Sequence, residues 1–276
     1  MSLRNLIWNR WFNWISNRNF IEEKLNEFIK LDNEFFSKRE IITEKSVPFR
    51  DPLLYVVDLT RYIADKIALP PGEIIPSFVR KENAAGTVEY TSKSEYFVEI
   101  DNVFKDSVSA IASIISHEIT HVWLAKYNLV LADREINEKL TDLTAIFLGL
   151  GVMILNGAWL KVEAGKEGDA ILYREIKPYL SAEELGYAMA LFMRQKSIQL
   201  KELRNCLTVD TTEIIKIGQR KLERRLKELK KKKEIDSWVV ICTNCFQKLR
   251  IPAHKGTLKV RCPVCKNEER VNTSLI

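Results

Sequence analysis

Residues 143–160 contain no charged side chain, eighteen positions in a row. Such a run has to leave water, either inside a folded body or inside a bilayer, and eighteen residues is close to the length that spans one. Three glycines, Thr144 and Asn156 interrupt it, and the mean hydropathy of the chain is −0.15. These features favour a buried helix over a membrane span. Hydrophobic residues make up 46% and charged residues 29% of the 276 residues, which supports a folded body and excludes a disordered chain. The net charge of +6 is unevenly distributed. Residues 194–276 carry 21 Lys/Arg against 9 Asp/Glu, and residues 1–193 carry 22 against 28. That pattern describes an acidic body with a basic appendage.

Helical periodicity opens the chain, with Trp8, Trp11, Phe12, Trp14 and Ile15 along one face. This face is expected to pack on the body; the alternative is an interfacial membrane helix. No apolar signal stretch is legible at the start, and a cytoplasmic location is expected. Pro52 starts a helix reaching to about residue 67, and strand-like runs follow at 74–80, 87–91 and 95–100. The last run alternates and is expected to be an edge strand against which an extended peptide could pair. Asp106-Ser107 caps a helix to about residue 127, and another runs from Asp133 or Asn137 to about 155. Ser181-Ala-Glu-Glu184 is a capping box for a helix to about 200. A helix from Asp210 to Lys230–Lys233 would span about 35 Å with only a narrow apolar stripe.

The first capped helix contains His117-Glu118-Ile119-Thr120-His121, which holds two of the chain's three histidines. Four residues is just over one turn, so both imidazoles leave one face and can share a Zn²⁺, with Glu118 placed as general base. Zinc needs a third protein ligand. The remaining histidine, His254, lies among the cysteines, which leaves a carboxylate: Glu138, Glu135 or Asp142.

Four of the five cysteines fall in two pairs, Cys242-x-x-Cys245 and Cys262-x-x-Cys265, sixteen residues apart. The pairs fit one closed tetrahedral site with structural Zn²⁺, in a reducing compartment. Short strands are expected at 238–241, 248–251 and 257–261, and the segment resembles a zinc ribbon. About 35 residues cannot bury an adequate core, so the metal supplies the folding energy. Cys206 stands outside this set as a buried thiol. Lys248, Arg250, Lys255, Lys259, Arg261 and Lys266 in the ribbon, with Arg220, Lys221, Arg224 and Arg225 before it, form a footprint for nucleic acid or an acidic protein.

With Asn137-Glu138-Lys139-Leu140-Thr141-Asp142 following the HExxH, residues 95–160 resemble the gluzincin metallopeptidases, the thermolysin-like branch of the zincins. The resemblance implies that Glu138 is the third zinc ligand and that Asp142 orients a zinc-bound imidazole. Phe147-Leu-Gly-Leu-Gly151 and Tyr179 to Leu191 are similar to segments of uncharacterised bacterial HExxH proteins. The downstream histidine that thermolysin-like enzymes use to stabilise an oxyanion is absent. Tyr187 is the expected replacement, ahead of Tyr179 and Tyr173. The order of HExxH domain, basic arm and ribbon is similar to that of Spartan-type proteases in layout only, because those use a third histidine.

The expected architecture is α+β: a mostly helical zincin-like metallopeptidase domain with a small sheet, a basic helical arm and a small β zinc ribbon. Its segments are an aromatic-rich helical region (1–50), the zincin-like domain (51–195), the basic linker (196–236) and the four-cysteine zinc ribbon (237–276). The expected activity is peptide-bond hydrolysis with two zinc ions per chain, one catalytic and one structural. The alternative is a non-enzymatic zinc-ribbon protein that binds nucleic acid or protein and carries a degenerate zincin scaffold.

Overall fold

The structure is a computed structural model and describes residues 17–30, 40–69, 74–81, 84–91, 95–167, 170–235, 237–252 and 256–272. The N-terminal Trp8, Trp11, Phe12, Trp14 and Ile15, and Lys255, lie outside them. The chain is mixed α+β and divides into two compact units, residues 1–220 and 221–276.

The first unit is organised around one apolar helix, α3 (Val108–Lys126). Residues 17–30 form α1 and Pro52–Lys66 form α2, which is capped by the Asp51 carboxylate accepting from the Leu53 and Leu54 amides. Ser107 caps α3 through the Ala110 amide. Ile111, Ile115 and Ile119 are fully buried along α3, each contributing about 1.5–3 kcal/mol by leaving water. Buried hydroxyls on α3 bond its own backbone: Ser116 donates to the Ala112 carbonyl (2.7 Å) and Thr120 to that of Ser116 (2.6 Å).

Against α3 lies a three-stranded sheet of β1 (Ile74–Val79), β2 (Gly86–Tyr90) and β3 (Tyr96–Asp101), in the order β1-β3-β2. The strand expected to be an edge, β3, is therefore central, parallel to β1 and antiparallel to β2. Both of its hydrogen-bonding edges are taken, and among the described residues the unpaired edge next to α3 belongs to β2.

Residues 143–157 of the uncharged run are buried inside the fold, and residues 158–160 are half-buried. Helix α4 (Arg134–Ala145) passes through a π turn at Ile146–Leu150 into α5 (Gly151–Gly157). The break sits at Gly149, with φ +88°, where the chain around Glu40 crosses. The Gly149 carbonyl accepts from the Ile42 amide (2.9 Å), and a Cβ there would stand 2.1 Å from the Glu40 carbonyl oxygen. Only glycine meets both demands. Val108–Lys126 and Arg134–Gly157 are long and apolar enough to cross a membrane, yet their most apolar windows are 72% and 100% buried within the fold. Residues 17–30 pack on this core as well, with the Phe28 ring 5.8 Å from Phe147 and 6.4 Å from Trp123.

A hairpin of β4 (Lys161–Glu167) and β5 (Ala170–Glu175) follows. It is tied to the sheet by Arg174, which donates to the Lys81 carbonyl (2.5 Å) and lies 3.2 Å from the Asp101 carboxylate. Helix α6 (Ala182–Gln195) carries the capping box between Ser181 and Glu184. Helix α7 (Val209–Ile235) begins one residue before Asp210, with Thr208 accepting from the Thr211 amide.

The second unit contains two antiparallel hairpins, β6 (Ser237–Ile241) with β7 (Lys248–Pro252) and β8 (Thr257–Arg261) with β9 (Glu268–Asn272). The three expected strands are present, and β9 is an addition. Its Glu-Glu-Arg-Val-Asn sequence has no apolar alternation to reveal a strand; its partner β8 supplies the ladder.

Candidate metal centre and cleft

His117 and His121 lie one turn apart on α3, and Glu138 and Asp142 lie one turn apart on α4. The Nε2 atoms of the two histidines are 3.1 Å apart, and each is 3.1 Å from Glu138 Oε2. Ligand atoms at ~2.0–2.2 Å from a tetrahedral zinc stand about 3.3 Å from one another, so the triangle has the right size.

The outer hydrogen bonds decide what this triangle presents. Asp142 is buried and its carboxylate accepts hydrogen bonds, so the His117 Nδ1–H donates to its Oδ1 (2.9 Å). The Thr141 hydroxyl uses its hydrogen on the Asn137 carbonyl (2.9 Å), which leaves its lone pair for the His121 Nδ1–H (3.2 Å). With both protons on Nδ1, neutral imidazoles turn two Nε2 lone pairs towards a carboxylate oxygen. Three acceptors facing one another need a cation or a proton between them. Without a metal the proton fills that role. Burial alone would lower the His117 pKa, but the Asp142 and Glu138 carboxylates outweigh it and push it up to about 10. Burial likewise opposes ionisation of Glu138, whose pKa the two imidazoles bring down to about 2. The donor set fits a zinc-type cation. Glu135, the substitute ligand, is held 2.7 Å from the Lys139 ammonium and takes no part.

Glu118 faces a cleft of about 470 Å³ bordered by Gly86, Thr87, Val88, His117, Glu138 and Tyr179. It is 7% exposed. Burial raises its pKa above the ordinary carboxylate range, against the pull of the two histidines. β2 reaches the centre at Gly86, where an added Cβ would lie 2.4 Å from Ile114 Cγ2 and 2.9 Å from Glu118 Oε1. A side chain there would displace the carboxylate, a role that no periodicity in the sequence reveals.

Tyr187 does not reach the cleft. It is fully buried in α6, and its hydroxyl donates to Glu22 Oε1 at 2.6 Å. Tyr179 occupies the expected place instead. Its ring stacks on His117 with centroids 5.9 Å apart and planes at 18°. Its amide and that of Leu180 donate to Asp142 Oδ2 at 2.7 and 3.1 Å. Asp142 thus holds His117 and the Tyr179 segment together. Tyr173, on β5, is outside the cleft lining and mostly exposed.

In the second unit the sulfurs of Cys242, Cys245, Cys262 and Cys265 lie within 4.8 Å of one another. Each pair sits in a matching turn. The Cys242 amide donates to the Gln247 carbonyl and the Phe246 amide to that of Cys242; Cys262, Asn267 and Lys266 repeat the pattern. Phe246 and Lys266 both adopt left-handed backbone, φ 60° and 61°. Four sulfurs close the coordination shell, compatible with a zinc ribbon. Cys206 is half-buried and separate. Among the basic residues, Arg220, Arg224, Lys248 and Arg250 are exposed, whereas Lys221 and Arg225 are half-buried. Compared with protein-family profiles, curated proteins and solved structures, the chain matches none.

Proposed function

We propose that the first unit is a zinc-dependent metallopeptidase. The observation that carries this reading is the convergence of the His117, His121 and Glu138 donor atoms beside the buried Glu118 at the foot of a cleft. Zinc held by those three side chains would supply a Lewis acid that acidifies a water and polarises a carbonyl. Glu118 takes the proton from the attacking water and returns it to the leaving amine. Its raised pKa suits a group that must hold a proton between the two steps.

The substrate backbone has an edge to pair with. The Asp101 amide donates to the Ala85 carbonyl and the Thr91 amide to that of Glu95, so positions 85, 87, 89 and 91 bond inward to β3. The alternation of an antiparallel ladder turns the N–H and C=O of Gly86 and Val88 to the free side, where an extended peptide can add as a strand. Tyr179 is proposed to donate to the developing oxyanion. Burial and the nearby Glu138 raise its pKa, so it keeps its proton. Tyr179→Phe is expected to lower kcat by about 10²-fold or more with KM little changed and zinc retained. Tyr187→Phe is expected to leave the chemistry intact and to weaken the fold through Glu22.

We further propose that the exposed Arg220, Arg224, Lys248 and Arg250 bring the enzyme to an anionic partner, nucleic acid or an acidic protein. A reducing compartment such as the cytoplasm is proposed, because four cysteines that serve as metal ligands have to stay unpaired by disulfides. Cleavage of an unfolded protein, followed by mass spectrometry of the products, tests the peptidase reading, with Glu138→Ala as the blank. Products from the wild type alone support it; identical patterns from both proteins refute it.

A further inference from the structure

The cleft walls carry a cation that the metal centre does not use. Arg134 is the first residue of α4, one turn before Glu138, and its side chain borders the cleft. Glu138 is turned to the two histidines, and Glu135 is taken by Lys139. Among the described residues, Arg134 has no acidic partner within ion-pair distance. The other cation in the lining, Lys177, lies 3.6 Å from the Glu175 carboxylate. Arg134 lines the same cleft as Glu118, Glu138 and Tyr179. Part of the cleft lining is apolar, made by Ile114, Ile154, Ala158 and Ile176.

An unpaired guanidinium in a cleft is a ready fork for a carboxylate, which it can bind through two parallel N–H bonds. We propose that Arg134 is the specificity residue of the site and selects peptides that carry a carboxylate close to the cleaved bond, with an apolar side chain lodged on the Ile114, Ile154 and Ile176 surface. This rests on the peptidase reading. The carboxylate is either an Asp or Glu side chain or the free C-terminus of the peptide; both offer the same two oxygens.

The test is digestion of a proteome-derived peptide library by the full-length, zinc-loaded protein, with every peptide present as the free acid and as the C-terminal amide. Cut positions are read by mass spectrometry, and kcat/KM is measured for one acidic peptide and its neutral counterpart. An acidic residue enriched at one position from the cut, in acid and amide alike, identifies a side-chain carboxylate. Cuts confined to the end of the chain and lost on amidation identify the terminal one. In either case Arg134→Gln is expected to reduce the acidic-to-neutral kcat/KM ratio by about 10- to 100-fold, and Arg134→Glu to move the preference towards Lys and Arg. Zinc content in both variants reports that the centre is intact. Cuts without acidic preference, or a preference that Arg134→Gln leaves unchanged, overturn the assignment of Arg134 alone. No cut at all by the wild type overturns the peptidase reading and this inference with it.

Discussion

Glu118→Gln is expected to reduce peptide hydrolysis by about 10³-fold or more while zinc content stays at the wild-type level. The amide has the size and shape of the carboxylate, so it fits the same buried space, where Gly86 leaves room for it. It cannot accept the proton of the attacking water. At 7% exposure the group has little access to a solvent base that could substitute for it. A chelated wild type and the glutamine variant would be inactive for different reasons, and metal analysis separates them. Full activity in the glutamine variant would move the base elsewhere, and the central role of the HExxH helix in chemistry would fall.

Cys262→Ser is expected to unfold the second unit and leave the first folded. Among the described residues its small core cluster contains Cys242, Leu249 and Cys262, with Val240, Cys245, Val260 and Cys265 packed around them. That is too little apolar surface to offset the ordering of two hairpins. A structural zinc contributes roughly 10–16 kcal/mol of apparent binding energy at pH 7, so losing one thiolate removes the main source of order. Amide NMR or hydrogen exchange would show residues 237–272 protected in the wild type and exchanging freely in the variant, while α3 stays protected. Retained protection of both hairpins would show that they fold without the metal.

The sequence carried what depends on local spacing. A four-residue step brings His117 and His121 to one face, two CxxC pairs bring four sulfurs together, and Ser107, Pro52 and Ser181 sit at the helix starts they announce. Glu138 and Asp142 are legible through a family resemblance, and they do face the histidines. Which element neighbours which is not legible. β2 and β3 both alternate, and nothing local distinguishes a central strand from an edge, so alternation points to β3 as the free edge when that edge belongs to β2. Tyr179 and Tyr187 lie eight residues apart across a helix start. Tyr187 lies between Gly186 and Ala188 in a helix whose apolar face is buried, the pattern of a packing residue, whereas Tyr179 precedes the Ser181 cap in a loop that Asp142 draws to His117. Gly86 and Arg134 come to the cleft through the packing of separate elements, and no motif marks them.

Zinc per chain, measured by elemental analysis on the full-length wild type, Glu138→Ala and Cys262→Ser, tests the central claim of two independent metal sites. The expected values are two, one and one, with the first unit folded in each protein. One zinc in the wild type, unchanged in Glu138→Ala and lost in Cys262→Ser, would leave the ribbon as the sole metal site and contradict a zinc centre at His117, His121 and Glu138.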